Sequence, residues 1–164
     1  MFEDKDEQWK KRRLWRTAEE LPPHVFEALH KPNCAINPIA VVATLDPDGA
    51  PRTAPFGSLR AVTPRLLRLG CDQRHDTYAN LCRDPRAIVA FMAPPDVSVS
   101  VWGRARVVRA PMHCDEHMAM LEIDIEGVKN DLGLVIWIDR GAELSIPEDE
   151  IGFYLAVVEE VEKG

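Results

Sequence analysis

Ile39-Ala-Val-Val-Ala-Thr-Leu45 runs straight into Asp46-Pro-Asp-Gly49, and this junction decides the fold class. The first stretch is apolar and β-branched, the composition of a buried strand. The second is a tight turn, in which Pro47 presets φ, Asp48 tolerates the left-handed region and Gly49 supplies positive φ without a steric cost. Apolar runs resume at residues 61–62, 66–69, 88–92 and 97–101, and a single helical segment, 77–83, interrupts them before Asp84-Pro85. About six short antiparallel strands with one inserted helix predict a mainly β protein with flanking helices (α+β), built as a small barrel. Whatever such a barrel binds is set by its outer edge.

Composition narrows the functional classes. A chain of 164 residues is long enough for one domain with a full core. Residues 1–34 are expected to form a helical segment packed on a barrel of residues 35–164. Twenty Lys and Arg against 27 Asp and Glu leave a net charge of −7, which argues against a nucleic-acid partner. No apolar run approaches the roughly 20 residues that cross a bilayer. The acidic start, Met1-Phe-Glu-Asp-Lys-Asp-Glu7, lacks the basic and apolar regions of a signal peptide, so a cytoplasmic protein without a membrane partner is expected. Cys34, Cys71, Cys82 and Cys114 are irregularly spaced, with no C-x-x-C pair. Cys34, Cys82 and Cys114 read as buried small hydrophobes, whereas Cys71, beside a polar segment, reads as a residue facing a ligand.

Outside the strand region the pattern is less regular. The cluster Lys10–Arg13 reads as a solvated helix face, and Trp9 and Trp15 as docking residues. Thr17 and Glu20 have capping-box spacing, but Pro22-Pro23 open a helix to about Leu29. Residues 110–124 read as a helix that places His113 and His117 four apart on one face. Because Cys114 stands where a catalytic Glu would be, the pair reads as exposed histidines, and no metal site is expected. Residues 153–161 read as a last strand, with residues 139–151 as a loop or short helix over one end of the barrel.

The segment rich in chemistry is Arg68-Leu-Gly-Cys-Asp-Gln-Arg-His-Asp-Thr-Tyr-Ala-Asn-Leu81. A strand ends near Cys71 and a helix starts near Thr77. His75, Asp76 or Thr77 can cap that helix, and free N–H groups at such a start attract phosphate. Arg74, His75, Thr77 and Tyr78 can add donors. No Ser-His-Asp or Cys-His arrangement supports covalent catalysis.

Three pieces in order carry a resemblance: the Asp46-Pro-Asp-Gly-Ala-Pro51 hairpin, the Asn80-Leu-Cys-Arg-Asp-Pro-Arg86 helix exit and Trp102-Gly-Arg-Ala-Arg-Val-Val108. Together they resemble the pyridoxamine 5′-phosphate oxidase-like family of FMN-binding split β-barrels over residues 35–110, with residues 153–161 as closing strand. The resemblance implies a homodimer with FMN at the subunit interface. It implies cofactor contacts from Pro55, Phe56, Gly57 and Ser58, from Cys71, Asp72, Gln73, Arg74, His75, Thr77 and Asn80, and from Ser98. It implies a cytoplasmic flavoprotein, an oxidoreductase passing electrons between a reduced donor and a small-molecule acceptor. Alternatives are a deazaflavin-dependent reductase, a non-catalytic flavin- or haem-binding dimer, or a barrel with no cofactor. The family's phosphate cations fall on Asp76 and Thr77 here. Arg52, Arg60 or Arg74 are expected to compensate for them.

Overall fold

The computed structural model describes residues 2–164, with side chains for Glu7 and residues 9–164. The chain runs α1 (Phe2–Leu14), β1 (Thr17–Ala18), α2 (Pro23–His30), β2 (Ala40–Leu45), β3 (Pro51–Phe56), β4 (Arg60–Thr63), β5 (Leu66–Asp72), α3 (Asp76–Arg83), β6 (Arg86–Ala93), β7 (Val97–Arg109), β8 (Met118–Asn130) and α4 (Ile151–Lys163). The strand and helix order expected between residues 39 and 108 is present with one strand more: β3, β4 and β5, rather than two strands, lie between the turn and α3. Asp46 N–H donates to Ala50 O and Gly49 N–H to Asp46 O, and Gly49 takes φ +85°, closing the β2–β3 hairpin as the turn residues demand.

The strands form one antiparallel sheet of eight, ordered β3-β2-β6-β7-β8-β5-β4, with β1 paired to β8. β6 alternates strictly between exposed and buried residues, so Ala87, Val89 and Phe91 enter the core. Val42, Leu67, Leu69, Val101, Leu121 and Ile123 meet them there, while α2 contributes Val25 and Leu29. The path ends at β3 and β4, which do not pair, and so the barrel stays split along that line. A bulge between Trp102 and Gly103 lets β7 bend against β8. Only glycine fits that bend, since a Cβ on Gly103 would lie 2.1 Å from Asp124 O.

Four expectations are corrected. Residues 118–130 are a strand, so the helix expected over 110–124 does not form and His113 and His117 share no helix face. The pattern misleads because Met118, Met120 and Leu121 are buried on both faces of β8, which erases the alternation of a half-exposed strand. The expected strand over 153–161 is instead α4. Its Val157 and Val161 pack with Met112, Met118 and Met120, close enough at Gly70 that a Cβ there would lie 2.6 Å from Val157 Cγ1. β8, between β7 and β5, is therefore the last strand of the sheet in chain order, the place expected for that segment. Cys82 and Cys114 are exposed and Cys71 is buried, the reverse of their expected roles.

The cluster Lys10–Arg13, fourth, is not one solvated face. Lys10 and Lys11 are solvated, but Arg12 grips the buried Asp96 and Arg13 is buried. Arg13 Nη2 donates to the carbonyls of Leu134 and Ile136, and its guanidinium lies 4.2 Å from the Trp137 ring centroid. These contacts fasten the apolar loop 132–138 to α1. Trp9 meets Trp137 at 6.1 Å between ring centroids, and Trp15 packs against the core. No described helix is long and apolar enough to cross a membrane.

Candidate functional site at the β5–α3 joint

The joint is tightly self-bonded. Asp72 accepts from Arg74 Nε and Nη2 and from the Arg74 N–H, which holds its carboxyl at about 2. His75 caps α3: its Nδ1 accepts from Thr77 N–H at 3.1 Å, and its carbonyl accepts from Tyr78 and Ala79 N–H. Thr77 Oγ1, in the first turn, is buried without a partner among the described residues. Phe56 stands edge-on to the His75 ring, with centroids 6.1 Å apart.

A second network joins this helix start to the hairpin. Arg52 Nε donates to both oxygens of Asp46 at 2.8 and 3.0 Å, and Asp76 Oδ2 lies 3.8 Å from the same nitrogen. Asn80 Nδ2 donates to Asp46 Oδ1 and Thr44 Oγ1, while Asn80 Oδ1 accepts from Arg83. Hydrogen bonds from Arg52, then Asn80, hold the Asp46 carboxyl below its usual range.

The other expected site residues divide. Ser58 Oγ donates to Gly70 O at 3.0 Å and accepts Gly70 N–H at 3.1 Å, bolting the 57–58 turn to β5. Gln73 is held by its own N–H to His117 O. The Cys71 side chain points into the core, where burial and then Asp72 push its thiol up to about 12. Gly57 lies against Ile36, and its carbonyl accepts from Lys31. Pro55 is exposed on the free edge strand β3 beside half-buried Phe56. Ser98 belongs to a separate hollow, of about 140 Å³, with Met92 and Asp131.

These contacts decide how FMN would fit. A phosphate at this helix start needs free cations and free N–H groups. Arg74 is committed to Asp72, and Arg60 to Glu162 and the carbonyls of Lys31 and Ala35. Arg52 commits its Nε to Asp46 and has Asp76 3.8 Å from the same nitrogen, so its charge is already offset by carboxylates, and the N–H groups of residues 77–79 all donate to His75. The phosphate end of FMN therefore meets more carboxylate than free cation at the joint, a poor fit for a dianion. A ring beside Pro55 and Phe56 meets no such conflict.

One feature of the site was missed by sequence reasoning. Outward residues of β2, β6 and β7 form an apolar face that includes Val41, Ala43, Ile88, Met92 and Trp102, with Ile88 49%, Met92 47% and Trp102 37% exposed. A hollow of about 410 Å³ lies in it, floored by Ile88 and Trp102 and rimmed by Arg86, Arg104 and Glu126. It reaches Leu45 and Pro51, next to the Arg52 network. The signal was in the chain: apolar residues occupy both faces of β6, more than one core requires.

An open eight-stranded antiparallel sheet with a capped helix start against its free edge defines a split barrel. The sequence profile described as pyridoxamine 5′-phosphate oxidase matches residues 23–130, and the chain belongs to that family. Solved structures share the fold. A Lactobacillus delbrueckii protein provisionally named pyridoxamine 5′-phosphate oxidase is 21% identical, with TM-score 0.56 over 70% of this chain and 98% of its own. An F420 reductase is 14% identical, with TM-score 0.54 over 67% and 100%. HupZ of Group A Streptococcus is 16% identical, with TM-score 0.51 over 73% and 98%. No curated protein sequence matches the chain.

Proposed function

We propose that the protein is a homodimer that binds a flavin-class ring between its subunits and works as an oxidoreductase on a small molecule. The observation that carries this reading is the apolar outward face of β2, β6 and β7 next to the free edge of β3. A sheet face with Ile88, Met92 and Trp102 in water needs a cover. A second copy laid there would make a cleft with backbone and Pro55 on one wall and apolar side chains on the other. Such a cleft suits a planar heteroaromatic ring. Family membership supports a flavin as that ring, and a bound flavin supplies two-electron transfer. The chain's own share is to position the ring and exclude water. The paired groups of the joint, Asp46 with Arg52 Nε and Asp72 with Arg74, give the ligand a wall rather than a source of acid or base.

The test is the visible absorption spectrum of purified protein after incubation with flavins and removal of the excess. Retained flavin bands that bleach on anaerobic addition of NADH or NADPH are expected. Protein that retains no flavin, or that carries a Soret band, overturns the reading. Retained flavin that no donor bleaches leaves binding intact and overturns the oxidoreductase assignment.

A further inference from the structure

The β5–α3 joint carries the wrong charge for a phosphomonoester. Asp46, Asp48 and Asp76 surround Arg52, and Arg83 is the other cation close to Asp46, so carboxylates outnumber guanidiniums. Asp76 lies in the first turn of α3, where its charge offsets the positive end of the helix. The backbone donors of residues 77–79 are spent on His75. The same groups suit a hydroxyl. Asp76 is exposed and accepts no hydrogen bond among the described residues, and the Arg52 Nη groups likewise donate none, so an acceptor and a donor stand together.

We propose that this site takes a flavin whose side chain ends in a hydroxyl, selecting riboflavin over its phosphomonoester FMN. The inference rests on the flavin reading above and names the ligand class of that same site. A ribityl hydroxyl donates to the Asp76 carboxylate and accepts from an Arg52 Nη. An ester carrying about −1.5 to −2 charge at pH 7 meets Asp46 and Asp76 instead. This repulsion is effective within a Debye length, about 8 Å at physiological salt.

Quenching of flavin fluorescence on titration with the intact protein provides the test, run in parallel with riboflavin and FMN at low salt and near pH 7.5. Riboflavin is expected to bind about ten-fold more tightly, the size of one close like-charge contact in a water-like dielectric. The preference is expected to shrink in high salt. Asp76→Arg, an exposed change, is expected to reverse it, and Asp76→Asn to reduce it while keeping the side chain's size. Tighter binding of FMN by the wild type overturns the selectivity and leaves the flavin reading standing. An unchanged ratio in both variants overturns the role given to Asp76. Binding of neither flavin overturns the flavin reading and this inference with it.

Discussion

Lys31 is buried at 4% exposure, yet its sequence context, His30-Lys-Pro32, looks like any surface turn. Its Nζ donates to the carbonyls of Ile36, Gly57 and Leu59 at 2.5, 3.0 and 3.4 Å, and so ties the segment after α2 to the turn carrying Ser58. Burial first, and Arg60 second, push its ammonium down to about 7. In the unfolded chain the group keeps its proton to about 10.4. Between these values the unfolded state binds more protons, so this residue makes stability rise with pH from about 7 to about 10. Chemical denaturation at several pH values should show that slope, and Lys31→Met should flatten it. The same variant should cost about 1–3 kcal/mol at neutral pH by stranding the carbonyls. Arg60 teaches the same lesson: expected to help a phosphate, it is consumed by Glu162 and backbone carbonyls. Side-chain partners drawn from distant segments leave no trace in local sequence.

At the scale of elements, the β2–β3 hairpin and α3 were legible because their cause is local. Asp46-Pro-Asp-Gly49 makes its own turn, and His75 caps the helix two residues on. β8 and α4 were not legible, because each borrows its character from the other. α4 covers Met118 and Met120, which makes β8 apolar on both faces, and β5 offers Gly70 so that the valines of α4 can approach. The bulge in β7 is likewise a two-strand property. Gly103→Ala places a methyl against the Asp124 carbonyl and should destabilise the fold by about 1–3 kcal/mol, as overpacking does. A thermal midpoint close to that of the wild type would show that β7 and β8 can part at this point without cost.

For the whole molecule, the outward apolar face predicts association. Sedimentation should give a dimer, and Ile88→Asp, an exposed change on the isolated subunit, should yield folded monomer with unchanged far-ultraviolet dichroism. The same variant should lose flavin retention, since half of the proposed cleft would be missing. A dimer that survives Ile88→Asp would place the interface on another face. The sequence by itself determined the antiparallel strand order from Ala40 to Arg109, the turn and helix that punctuate it, and the family to which the chain belongs. These rest on residue types acting over a few neighbours: a Pro-Asp-Gly turn, β-branched runs, a capped helix start. The tertiary structure alone decided that β8 and not the last segment is the final strand of the sheet, and that Cys71 faces the core. It alone decided that the expected phosphate cradle is closed by its own carboxylates. Those outcomes depend on which distant groups meet, and burial and charge pairing are properties of the folded sheet.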